Sequence, residues 1–232
     1  MRGCLENRRT RRRQTFAPHR SPSMRFSQTI ATMGFPALVG FLVLAWGMVS
    51  IQAVRAESFQ PIKEAEMPPG FPAPTPVGHI ELKHYPGYRK ATASGGSEFW
   101  TLFRHIKKNG VAMTAPVEME YGDPCATSAR SRAMSFLYQR PDQGAVGKQG
   151  NVEVTDVPAM TVVSIGCRGS QTAKAIDTAR LALMEFLNSQ ADRYEVAGPL
   201  RVMAHNSPFV PRDKNYFEVQ IPFRPVAPTA EK

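Results

Sequence analysis

Within residues 97–117, an apolar stripe and two cations fall at spacings suited to binding rather than to bond-making. Phe99, Leu102, Phe103 and Ile106 recur three and four residues apart, with Trp100 at the edge of the stripe. That is the spacing of one helix face. Arg104 projects from its flank and Lys108 follows one turn later. An oily wall beside cations suits a flat apolar molecule that carries carboxylates: the wall covers its body and the cations take its acids. Met113, just past the helix, extends the same wall. Each residue also has an ordinary role, the stripe as a core-facing surface and Arg104 as a solvated charge.

Residue types that do catalysis are present elsewhere, but they are not grouped. His79, His84, His105 and His205 stand singly, without the paired spacing of a zinc site. His105, on the helix itself, is a weak candidate metal ligand, since a helical histidine more often serves as a hydrogen-bonding group. There is no serine-centred elbow, phosphate loop or dinucleotide fingerprint. Glu118 and Glu120 lie two apart and share one face of a strand. Their ordinary role is at a surface or a groove mouth, and hydrolysis by a groove carboxylate is the alternative. The expectation is a binding protein and not an enzyme.

Several elements must hold these residues in place. A first helix is expected over 97–109, capped by Ser97 and stopped by Asn109-Gly110, with Gly110 in the left-handed conformation. Ala112 to Tyr121 is expected as a strand entering a bend at Pro116. Before the helix, strands are expected over 80–85 and 88–94, and a further strand over 132–139. The same order then returns: strands 152–157 and 161–167, a helix over 172–188, and strands 200–205 and 216–223. Ile80-Glu81-Leu82 is echoed by Val152-Glu153-Val154 and Pro86 by Pro158, an offset of about 72 residues. Phe217, Val219, Ile221 and Phe223 alternate with Glu218, Gln220 and Pro222, the pattern of a half-buried strand. Ile80 and Leu82 alternate with Glu81 and Lys83 in the same sense. Two ββαββ repeats of this kind predict an α+β domain with helices on a curved antiparallel sheet.

The whole chain of 232 residues carries a formal net charge of +10. Nine arginines and only Glu6 as an acid lie in residues 1–56, which leaves 20 basic against 18 acidic residues in the remainder. A nearly neutral domain without a basic stripe excludes nucleic acid as a partner. The arginine-rich start, the apolar run over 37–51 and Val54-Arg55-Ala56 read as a signal peptide cut before Glu57, or as an uncut anchor over residues 37–54. The expected location is therefore periplasmic or secreted, with membrane contact only through that apolar segment. Residues 57–78 hold six prolines and read as an extended spacer. The domain proper is expected over 79–224, with a tail over 225–232, as a monomer. Cys125 and Cys167 are left in the exported part, free or paired.

The helix ending in Asn109, followed by MTAPV, resembles the SOUL family of haem-binding proteins. The likeness runs from about His79 to Phe223, through IELKHYPGYRKA, MTAPVEMEY, MSFLYQRP and NYFEVQIPF. It departs at the segment after Tyr121 and at His105, where the family often has an aromatic residue. The resemblance implies a distorted barrel of two pseudo-symmetric halves, related to effector domains of bacterial regulators. It also implies non-covalent binding of haem or a related tetrapyrrole against the first helix. Phe99, Leu102, Phe103, Ile106 and Met113 would form the wall, with Arg104 and Lys108 at the propionates. The alternative ligand is another apolar or amphiphilic small molecule in the same groove.

Overall fold

The structure is a computed structural model that describes residues 59–126 and 130–226. All of them fall in one compact unit, Glu57–Lys232. The expected leader and the end of the tail lie outside the described residues. Among those described, no helix is long and apolar enough to cross a membrane.

Among the described residues, ten strands and two α-helices follow in chain order. They are β1 (Ile80–Tyr85), β2 (Tyr88–Ala93), α1 (Glu98–Lys108), β3 (Val117–Gly122), β4 (Ala133–Leu137), β5 (Gly147–Gln149) and β6 (Val152–Val157). Then come β7 (Met160–Arg168), α2 (Ala173–Ser189), β8 (Tyr194–Val196), β9 (Leu200–Ala204) and β10 (Tyr216–Pro225). The strands form one sheet in the order β1-β7-β10-β9-β3-β4-β2-β6-β5, with β8 on β10. Exchanging β1 with β6, β2 with β7, β3 with β9 and β4 with β10 reverses the first eight places of that order. The duplication legible in the sequence is therefore a two-fold of the sheet, and each half lends its first strand to the other. The ends β1 and β5 do not pair, so the expected barrel is a curved open sheet.

Both helices pack on one face. Leu102 and Ile106 of α1 meet Ala91, Ala93, Phe136 and Val154. Ile176, Leu183 and Leu187 of α2 meet Val163, Val202, Phe217, Val219 and Ile221. Val117, Met119 and Tyr121 touch these two clusters in turn, which fixes the odd positions of β3 on the helix side. Full burial of each large side chain contributes about 1.5–3 kcal/mol, so these two clusters hold the fold.

The opposite face sets polar side chains beside a third apolar cluster of Tyr85, Tyr88, Leu137, Val162 and Met203, and it too is buried, which corrects the half-buried reading of β10. Glu218 is 1% exposed and Gln220 0%. Strand β1 departs further: Leu82 is exposed, while Lys83 is buried. Lys83 faces inward because Glu218 waits there, its Oε2 2.8 Å from Lys83 Nζ.

What covers this face is the proline-rich segment 59–77, expected as a spacer. It lacks regular structure, as its prolines dictate, but it forms a strap across the sheet. Thr75 is fully buried, its N–H donating to Glu218 Oε1 and its hydroxyl bonded to Ser164. Asn206 donates to Ile62 O, Ser207 binds Glu64 through its N–H and its hydroxyl, and Ala115 N donates to Glu66 O. Gly166 lets the strap lie this close, since a Cβ there would meet Thr75 O at 2.2 Å.

Local details differ from expectation at two places. Ser97 occupies the N-cap of α1 without a side-chain cap bond. Glu98 instead accepts from Gly96 N at 2.9 Å. Residues 112–116 are a bend with a cis Ala115–Pro116 bond and not part of β3, which starts at Val117. Thr114 anchors the bend by donating to Leu137 O at 2.6 Å. At α2 the N-cap Thr172 accepts from Ala175 N.

Candidate functional site

The residues expected to form a ligand wall divide between the core and the surface. Leu102 and Ile106, at 0% and 2% exposure, fill the core beneath α1 and offer no surface to a ligand. Phe99 and Trp100 are exposed and Phe103 is half-buried. The rings of Phe99 and Phe103 lie nearly parallel, 9° apart with centroids 6.1 Å apart, and Trp100 meets both edge-on. Together these three rings form an aromatic ledge on α1. Arg104, Lys107 and Lys108 are exposed on the same helix, and Lys107 Nζ lies 5.6 Å from the Phe103 centroid. Met113 is exposed beyond the end of α1.

His105 points into the fold. It is 8% exposed, with Nε2 2.8 Å from Tyr138 Oη and Nδ1 3.3 Å from Asn109 Nδ2. Burial, aided by Lys108, pushes its pKa below the ordinary histidine value. Both ring nitrogens are engaged, so His105 has none to offer iron. Among the described residues, no group of three or more metal-ligating side chains comes together.

Beneath the strap lies a second cluster that the sequence did not reveal. Glu118 Oε1 accepts from Lys90 Nζ at 2.6 Å and Oε2 from Tyr88 Oη at 2.7 Å. Arg201 Nη1 donates to Tyr88 Oη at 2.9 Å and lies 3.5 Å from Glu118 Oε2. Glu218 gathers Lys83, Ser164, Gln220, Thr75 and His205. Burial alone would raise both carboxyl pKa values. The cations and hydrogen bonds around them outweigh it and hold both below the ordinary range. Both carboxylates are therefore ionised, and their oxygens are already taken by donors. Glu120 shares the face of Glu118, as its spacing predicted, but is half-buried.

Two clefts border the strap. One, of 460 Å³, lies within the loop the strap describes and is lined by Phe59, Ile62, Met67, Thr75, His205 and Tyr216 among others. The other, of 270 Å³, is lined by Pro68, Phe71, Tyr88, Tyr138 and Arg140. Neither is lined by the α1 ledge. A weak sequence signal for the hidden cluster existed: Arg201 and Glu218 interrupt the mostly apolar strands β9 and β10. Cys167 carries a free thiol, pushed up to about 11 by burial and by Glu218, so it does not pair with Cys125.

The profile of the family described as "SOUL heme-binding protein" matches residues 75–222. No curated protein sequence matches significantly. Among solved structures, the cryo-EM structure of an EcmrR–DNA complex aligns with a TM-score of 0.51 and 15% identity. The alignment covers 64% of this chain and 58% of that one, so this chain spans little more than half of that relative. The crystal structure of the EcmrR C-terminal domain aligns over 64% of this chain and 98% of that one, at a TM-score of 0.48 and 18% identity. A structure titled a hydrolase from Listeria innocua aligns over 66% of this chain and 94% of that one, at 0.45 and 14%. At these identities the likeness is one of fold.

Proposed function

From the premise that this chain belongs to the SOUL heme-binding protein family, we propose that it holds haem or a related tetrapyrrole non-covalently on the outer flank of α1. The observation that carries this is the parallel pair of exposed Phe99 and half-buried Phe103 with exposed cations on the same helix. A macrocycle needs a flat apolar surface for its body and positive charge for its carboxylates. Phe99, Phe103 and Trp100 supply the surface, Arg104 and Lys108 the charge, and Met113 extends the apolar edge. These residues fit the body and the propionates of haem. Iron, when present, would supply the spectroscopic signature and takes no ligand from His105. Leu102 and Ile106 act from below, holding the helix at the height that exposes the ledge. The protein's role in this reading is to bind and shield the pigment, without chemistry of its own, after export by its N-terminal segment.

Titration of the full-length chain with hemin tests this. A saturable Soret shift is expected, weakened by Phe103→Ala and by Arg104→Ala. A wild-type spectrum identical to free hemin would end the reading.

The second reading, a site for another apolar or amphiphilic molecule, is favoured by the 460 Å³ cleft within the strap. That volume lies in the usual range for small-molecule pockets, about 300–1,000 Å³. A thermal-shift screen separates the two, since lipids or aromatic cations would then stabilise the protein where porphyrins do not.

A further inference from the structure

The strap crosses the polar face with its ends tied down and its middle unbonded. Glu66 O accepts from Ala115 N on one side, and Thr75 binds Ser164 and Glu218 on the other. Between them, no hydrogen bond joins residues 67–74 to the sheet among the described residues. The tip is a turn, Phe71 N donating to Pro68 O at 3.2 Å across Pro69 and a left-handed Gly70 with φ 79°. Phe71 follows that turn, and its half-buried ring sits edge-on to two tyrosines, 4.9 Å from Tyr85 and 5.3 Å from Tyr88. Aromatic contacts of this size are the weak kind that a competing ring can replace.

Both tyrosines also touch Arg201. Its guanidinium carbon lies 4.7 Å from the Tyr85 centroid and Nη1 bonds Tyr88 Oη. Arg201 is 3% exposed, yet its pairing is poor. Glu118, its nearest carboxylate, lies 3.5 Å away and is shared with Lys90, which approaches to 2.6 Å. Gln220 Oε1 accepts from Arg201 Nε at 3.0 Å, while Nη2 has no hydrogen-bond partner among the described residues. A buried guanidinium nitrogen left empty is costly, and an acceptor, best a charged one, relieves it.

We propose that the Tyr85–Tyr88–Arg201 corner is a binding seat for a planar aromatic carboxylate, and that Phe71 is its built-in occupant. The ligand ring replaces the Phe71 ring against the two tyrosines, and its carboxylate accepts from Arg201 Nη2. Room comes from the space Phe71 vacates and from the 270 Å³ cleft that Phe71 and Tyr88 already line. Because the seat is filled by the chain itself, wild-type affinity is reduced by the fraction of molecules in which the tip is down.

The test is calorimetric titration of the full-length chain with 2-naphthoate, 2-naphthalenemethanol and 2-naphthylmethylammonium, in wild type, Phe71→Ala and Arg201→Gln. The expected result is naphthoate binding that tightens at least about tenfold in Phe71→Ala, with the neutral and cationic probes much weaker. Arg201→Gln should abolish the preference for the anion. If Arg201→Gln fails to fold, the preference within Phe71→Ala decides. Equal binding of the three probes, a preference for the cation, or no gain from Phe71→Ala would overturn the proposal. These outcomes are independent of whether hemin binds α1.

Discussion

Replacing Glu218 with glutamine keeps the shape of the side chain and removes its charge, which isolates what the buried ion pair contributes. Glu218 and Lys83 are 1% and 4% exposed at the side chain and 2.8 Å apart. Without the carboxylate, Lys83 is a buried cation with no other ion-pair partner among the described residues. Breaking one side of such a pair costs about 3–5 kcal/mol. For a domain of this size each kcal/mol moves Tm by about 2–4 °C, so a fall of roughly 6–20 °C is expected. The pH dependence gives a second readout. The folded pKa of Glu218 lies below its unfolded value of 4.5. Its stabilisation is therefore complete above that value and is lost as pH falls below it, because the unfolded chain takes up the proton first. Glu218→Gln should flatten the acid limb of a stability–pH curve measured by urea unfolding and far-UV circular dichroism. Glu118, also depressed, supplies the slope that remains. A variant within 1 kcal/mol of wild type, or one with an unchanged acid limb, would refute the reasoning (taking about 1 kcal/mol as an ordinary mutational effect).

Four further outcomes follow from the same structure. Tyr138→Phe removes the partner of His105 Nε2 and should cost about 1–3 kcal/mol in urea unfolding. The depressed pKa of His105 also means that stability falls as pH drops below the unfolded value of 6.5. Titrating wild type against His105→Phe through that window checks it, and matching curves would count against the assignment. Gly166→Ala should destabilise by about 1–3 kcal/mol and raise proteolysis of residues 59–77, since the added Cβ collides with the strap backbone. Cys167, with its thiol near 11, should be alkylated at pH 8 roughly a hundredfold more slowly in the native than in the urea-unfolded protein.

The sequence carried the order of eight strands and both helices, and the duplicated unit, because hydrophobic period and glycine stops are local signals; the three-residue strands β5 and β8 are too short to leave such a signal. It also placed Phe217, Val219, Ile221 and Phe223 correctly on the helix side of β10. What it could not show was the other side. Alternation says which residues share a face, and whether that face meets water depends on what lies over it. Here a proline-rich segment that composition marks as a spacer lies over Glu218 and Gln220, so the polar side is buried too. The same blind spot inverted Leu82 and Lys83, where a distant carboxylate decides the orientation. On α1 the helical spacing found Leu102 and Ile106 together with Phe99 and Phe103, but spacing does not separate the residues under a helix from those on its flank. Closure of the barrel depends on whether β1 and β5 meet, a long-range pairing that no local pattern encodes.

The central claim is that a tetrapyrrole rests on the Phe99–Phe103 ledge with its carboxylates at Arg104 and Lys108. The most direct measurement is the Soret-monitored dissociation constant for hemin in wild type and in an Arg104→Ala/Lys108→Ala variant. Loss of two surface charge contacts, about 0.5–1 kcal/mol each, predicts affinity weakened by about five- to thirtyfold with the circular dichroism spectrum unchanged. Equal affinity in the two proteins would contradict the account.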